Sequence, residues 1–326
     1  MGESRVSWID VLKGIGIVLV VIGHIYLNPI VDNWLYSFHM PLFFLAGGLV
    51  YKEKPILVDV RRRIQTIVVP YFSFGFLILL YWQIIERRFR ESSMSLSDSI
   101  LGLFLGDYDK LDFNVHLWFL PCFFLTVILF NILVCLGGNK VAYTVSVLMS
   151  CIYIVFPMQE LYWGFNRVFK YIGFYAIGVL FSQRTIKILE KKVASFICAC
   201  VLLSLNFILA YIHQVDGIMW YITALIGVTG VVLVAYIVSE NYVLQYLGRV
   251  SLIILCIHGP IYRIVVKILS ILLHLKTDTI RNNFLLVMIV VGITIVICSL
   301  GYEVVMKIFP WMLGKRECYS TKRTEL

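Results

Sequence analysis

Runs of roughly 20 mostly apolar residues recur along the whole chain, the length a helix needs to cross about 30 Å of hydrocarbon. "FLPCFFLTVILFNILVCLGG" and "FLLVMIVVGITIVICSLGYEVV" are two of them. In lipid every backbone N–H and C=O must be satisfied within its own segment, so such runs fold as helices. Of the 326 residues, 60% are hydrophobic and 14% charged, well under the about 25% charged residues of a soluble domain. The fold class is therefore an all-α polytopic membrane protein. The pattern predicts about ten transmembrane helices, near 8–27, 34–51, 65–85, 116–136, 141–157, 167–183, 193–212, 218–238, 250–272 and 283–308. No internal repeat and no linker divides the chain, so residues 1–326 read as a single transmembrane domain. The longest less apolar stretch, 86–115, predicts a short amphipathic helix around "SLSDSILGLFLG", started by a Ser or Asp cap.

The first apolar run is longer than a signal-peptide core and lacks a small-x-small cleavage site, so it is expected to remain as an uncleaved anchor. The net charge of +9 is spread over alternate loops, which is a topology signal and not a nucleic-acid footprint. Placing the N-terminus in the cytoplasm puts Arg5, "YKEKPILVDVRRR", Lys140, "QRTIKILEKK", Arg249 and the tail "GKRECYSTKRTEL" on that side. An even number of spans then leaves both termini cytoplasmic. "ERRFR" falls outside, against the trend. Eight cysteines are scattered singly, without zinc or disulfide spacing, and read as small buried hydrophobes.

Within "WIDVLKGIGIVLVVIGHIYL", Asp10, Lys13 and His24 are ionisable groups in a run that lipid would otherwise tolerate. Such groups usually face a protein interior. At 100° per residue, His24 lies about 20° from Lys13 in projection and Asp10 about 40° to the other side, so all three share one stripe. His24 sits about 16 Å beyond Lys13 along the axis, and about 21 Å beyond Asp10, which is too far for a triad partner. Taken singly, Lys13 reads as a snorkelling cation and His24 as a satisfied core histidine. Their shared face favours function.

The connection "NPIVD" forces the first two spans to be antiparallel neighbours, which brings His39 to the depth of His24. Pro41 removes a backbone donor beside it and predicts a kink. His116 opens the fourth span at the same outer end, His258 sits near mid-depth before Gly259-Pro260, and His213 and His274 fall in short outer loops. No carboxylate accompanies these histidines at ligand spacing, so no metal is expected. Arg61, Arg62 and Arg63 at the inner start of the third span have two readings. One is plain positive-inside signalling; the other is a phosphate clamp, since guanidinium forks bind phosphate bidentately. "LAGGLV" offers small residues for close helix approach.

"WIDVLKGIGIVLVVIGH", "SFHMPLFFLAGG", "RRRIQTIVVPYF", "HLWFLP" and "YLGRVSLIILCIHGPIY" occur in that order. Together they resemble the blocks of the acyltransferase 3 family of integral membrane acyltransferases, in particular its fucose 4-O-acetylase-like branch. The first block holds the family's Arg/Lys-x10-His signature as Lys13 and His24, and the resemblance covers essentially the whole chain. It implies transfer of an acyl group, usually acetyl from acetyl-CoA, to a hydroxyl of a cell-surface or lipid-linked glycan, by a multi-pass protein of the bacterial cell membrane. The resemblance is to the stand-alone members, those expected to lack a fused extracytoplasmic hydrolase-like domain.

On that resemblance, Lys13 and Arg61 to Arg63 would hold the CoA phosphates, and no metal or nucleic acid is called for. A thioester is already activated, so the hard step is making the hydroxyl nucleophilic, which suits a neutral histidine. His24 is the expected base, with an acetyl-histidine intermediate as the covalent alternative. His39, Asn114, His116 and Trp118 are candidate orienters or oxyanion donors. His39 and His116 are the further catalytic candidates, and Asn114, Trp118 and Trp163 the substrate-binding ones. The outer loops carrying Tyr108, Tyr162 and Trp163 could form a carbohydrate platform. The competing class is a transporter of a sugar or lipid-linked sugar, which would also use broken helices and buried polar groups. A sensor without turnover would leave these groups without purpose.

Overall fold

The computed structural model describes residues 6–90, 94–156, 158–182, 192–212 and 216–315. Arg5, His213, most of "QRTIKILEKK" and the tail beyond 315 lie outside the described residues. No strand occurs among the described residues. The chain runs through α1 (Ser7–Ile25), α2 (Pro29–Leu49), α3 (Ile56–Arg63), α4 (Val69–Ile84), α5 (Leu96–Leu105) and α6 (Phe119–Val155). It continues through α7 (Phe165–Ser182), α8 (Lys192–Ile212), α9 (Gly217–Ile237), α10 (Tyr242–Leu273), α11 (Thr277–Asn282) and α12 (Phe284–Ile308).

A helix lies over each of the apolar runs, and the protein is a polytopic all-α membrane protein. Seven helical stretches among the described residues are long and apolar enough to cross a membrane. One is α3 with α4, joined by a π turn at Ile64–Val68. Another is α6, whose helical geometry breaks at Gly137 and Gly138, where Gly138 has φ 72°. That break falls between two runs that the sequence separates. The helices α2 and α7 are outside the set of seven; they carry Asp32, Ser37 and His39, and Arg167 and Lys170, which line the site below.

Local sequence explains the ends. Asn28 caps α2 by accepting from the amides of Ile30 and Val31 (3.0 and 3.2 Å), with Pro29 at the first helical position. Ser95 caps α5 through the Asp98 amide (3.0 Å), and Gly106 closes it in the left-handed region. This is the short helix expected from "SLSDSILGLFLG". Helix α2 continues through Pro41, and α10 through Pro260, as single helices.

Helix α1 is central, packed on α10, α2, α9 and α12. Its crossing with α10 depends on two glycines, because a Cβ on Gly14 would overlap the Leu244 carbonyl oxygen and one on Gly248 the Asp10 carbonyl oxygen. The α2–α7 crossing is made the same way at Gly48 and Gly178, so "LAGGLV" serves close approach within the chain. Beside it Phe44 stacks on Tyr171 with ring centroids 4.5 Å apart. These two crossings bring the ends of α1 and α7, the first half of α2 and the middle of α10 close together.

Candidate active site

Three segments far apart in sequence meet at imidazoles. His24 ends α1, His116 lies in the 3-10 turn Val115–Trp118 that leads into α6, and His258 lies in the middle of α10. Ring centroids are 4.0 Å apart for His24–His116, 4.2 Å for His116–His258 and 5.4 Å for His24–His258. The sequence placed His258 at a different depth, and what it could not show is that α10 lies directly against α1.

Each ring is held differently. The His258 Nδ1 donates to the carbonyls of Ile254 and Leu255 (2.9 and 3.0 Å), so in the neutral ring Nε2 is the bare nitrogen. His39 Nδ1 donates likewise to the Leu35 carbonyl at 2.6 Å, and the Tyr36 ring meets it edge-on at 4.8 Å. His24 Nδ1 lies 3.0 Å from the Tyr36 hydroxyl. The His116 Nδ1 and His258 Nε2 atoms are buried without a hydrogen-bond partner. Gly259 allows the close fit, since a Cβ there would lie 2.8 Å from His116 Cδ2. The end of α1 is fixed by Arg281, which donates to the carbonyls of His24 and Ile25, each at 3.0 Å.

His24, His39 and His116 open into a cavity of about 430 Å³. Its far wall is aromatic and cationic. The Arg167 guanidinium lies over the rings of Tyr108 (4.1 Å) and Trp118 (4.4 Å) and pairs with Glu160 at 2.8 Å. The Lys170 ammonium sits 3.9 Å over the Trp220 ring. Aromatic faces beside paired charges form a surface on which a sugar ring can stack and bond. Trp118 therefore lines the cavity. Trp163 does not: its indole donates to the Phe104 carbonyl (2.9 Å) and packs among Tyr71, Phe72 and Phe124. Asn114 is fully buried outside that lining and spends its amide on the Cys256 carbonyl at 2.7 Å.

At the Lys13 end a second cavity, about 420 Å³, is lined by Lys13, Arg63 and Arg249 together with Phe43, Phe119 and Phe123. Of the arginine triplet only Arg63 reaches it; Arg61 and Arg62 are exposed on the other side of α3, and Arg63 also bonds Asp59 at 3.2 Å. Met40 lines this cavity and the histidine-lined one. Tyr36, Arg167, Lys170, His258 and Arg281 escaped sequence reasoning as site residues. The available signal was cations and a tyrosine at helical spacing on otherwise apolar helices.

One nitrogen from each of His24, His116 and His258 lies within 4.8 Å of the others. A zinc-like ion at about 2.0–2.1 Å from each would need them drawn to about 3.3 Å apart. Donors for an ion are thus present, and imidazole nitrogens are equally suited by their chemistry to proton transfer. No curated protein and no solved structure matches the chain. The model of a family acyltransferase domain, Acyl_transf_3, matches residues 6–303, a range that holds all three imidazoles and both cavities. The protein belongs to the acyltransferase 3 family and is a membrane acyltransferase.

Proposed function

We propose that this acyltransferase moves acetyl from acetyl-CoA, entering at the Lys13 end, to a hydroxyl of a cell-surface or lipid-linked glycan in the histidine-lined cavity. The observation that carries the reading is Met40, which lines both cavities. A donor held by its phosphates on Lys13, Arg63 and Arg249 would then deliver its thioester to the ring of His24. Family membership favours this over transport of a sugar.

In the proposed step His24 Nε2 takes the proton of the acceptor hydroxyl as its oxygen bonds to the thioester carbonyl carbon. The tetrahedral intermediate collapses, the C–S bond breaks, and the CoA thiolate leaves, taking the proton that His24 Nε2 accepted, which returns the ring to its neutral form. For Nε2 to be bare, Nδ1 must carry the ring proton, and the Tyr36 hydroxyl 3.0 Å away is placed to accept it. The aromatic wall of Trp118, Tyr108 and Trp220 would seat the sugar.

Sidedness follows the basic loops, with the donor arriving from the cytoplasm and the product forming at the outer half of the membrane. The test uses sealed, oriented vesicles with labelled acetyl-CoA on one side and candidate glycans on the other. Label should pass to the glycan only with the donor on the cytoplasmic side. Equal labelling with both substrates confined to the cytoplasmic side would overturn the sidedness, and no labelling of any glycan would overturn the acceptor class.

A further inference from the structure

We propose that the groove between the His24-side ends of α4 and α10 binds the phosphate of a lipid-linked acceptor and leaves its apolar tail in the bilayer. The groove is a separate space from both cavities above, about 640 Å³ in volume. Its rim is apolar and outward-facing: Phe89 is 80% exposed, Ile268 51% and Ile264 41%. Its lining carries Arg90, Arg263, Lys267 and Arg281 against the single carboxylate of Glu86.

Half of that positive charge is balanced within the protein. Arg263 pairs with the buried Glu86 at 2.6 Å, and Arg90 with Asp112 at 2.5 Å. Lys267 is exposed, and Arg281 directs its bonds to main-chain carbonyls. Among the described residues no carboxylate lies within ion-pair distance of either. Snorkelling to headgroups accounts for Lys267 alone. It does not account for Arg281, which is part-buried and bonded only to main-chain carbonyls, where a cation without a paired anion is costly. Guanidinium forks are suited to phosphate oxygens, and the exposed apolar rim to an attached chain.

The groove also leads to the reaction site. Arg90, Arg263, Arg281 and Tyr262 line both the groove and a third cavity of about 340 Å³, and that cavity is lined in turn by His24 and His116. A phosphate in the groove would therefore place a sugar one linkage further in beside the proposed base. The assignment of the occupant as an acceptor rests on the transferase reading above; the phosphate-lipid site itself does not.

The test measures binding to the purified full chain in non-ionic detergent, with four probes: farnesyl diphosphate, farnesol, inorganic diphosphate and phosphatidylglycerol. Farnesyl diphosphate should bind about ten-fold tighter than farnesol or inorganic diphosphate, and Lys267→Glu should weaken it about ten-fold. Lys267 is exposed and unpaired, so this variant keeps the fold; Lys267→Arg should retain binding. Equal affinity for inorganic diphosphate would make the ligand a soluble anion and overturn the lipid. Equal affinity for phosphatidylglycerol would reduce the groove to an ordinary bilayer contact. If farnesyl diphosphate fails to bind while acetyl passes to free glycans, the groove proposal falls and the transferase reading stands. If it binds as expected and no glycan is acetylated, the reverse holds.

Discussion

Asn114 donates its side-chain amide to the Cys256 carbonyl at 2.7 Å, the oxygen that Pro260 leaves without a helical donor. One turn of α10 beside His258 is thus closed by a residue 142 positions away in sequence. The bond ties the His116 segment to the His258 helix.

This pairing predicts non-additivity. Asn114→Ala should destabilise by about 1–3 kcal/mol, since a buried carbonyl loses its partner. In a Pro260→Ala background the helix can supply its own donor, and the same change should cost clearly less. Thermal unfolding of the four proteins in one detergent gives the coupling; strict additivity would refute it.

For the base, His24→Ala should lower turnover by about 10²–10⁴-fold without changing donor affinity. Tyr36→Phe, which leaves the ring but removes the oxygen facing Nδ1, should lower kcat more than it raises KM. Turnover should survive exhaustive chelation. Activity that disappears with chelator and returns with zinc would assign the three imidazoles to an ion instead.

At the donor end the three arginines should separate. Arg61→Ala and Arg62→Ala should leave the KM for acetyl-CoA within about two-fold, because both side chains are exposed off the cavity. Arg63→Gln should raise it about ten-fold, with Arg63→Lys between them. Equal effects of all three would point to a diffuse surface charge.

On the acceptor side, Trp118→Ala and Trp220→Ala should each raise the acceptor KM several-fold and leave the donor KM alone, given about 0.5–1.5 kcal/mol for an aromatic contact. Trp163→Ala should act on stability instead, since its ring packs outside the cavity. Acceptor titrations at saturating acetyl-CoA would distinguish the two.

The apolar runs made the helices legible, down to the break at Gly137–Gly138, because membrane length and backbone satisfaction leave few choices. The meeting of His24, His39 and His116 at one cavity was legible as well, although α2 begins at Pro29 and so carries His39 at its middle and not near its end. The place of His258 was hidden, because it depends on the α1–α10 crossing at Gly14 and Gly248, a contact between residues more than two hundred positions apart. Trp163 stood out as an outer-loop aromatic, yet its backbone turns it, with φ 58°, toward Phe104 and away from the cavity. Rotation about α3 likewise decides that Arg63 alone of its triplet faces inward, and a row of identical residues gives no hint of that.

Met40 has one more consequence, electrical in kind. Two water-accessible spaces that approach each other from opposite ends of a membrane protein are a short circuit unless something insulates them. Here the residue common to both linings is Met40, and Phe43 and Phe119 line the Lys13-side space with it. On the proposed reading, the residue at which two substrates meet would also have to be the seal that holds the membrane voltage. A smaller residue there would show itself first as proton leak from a liposome.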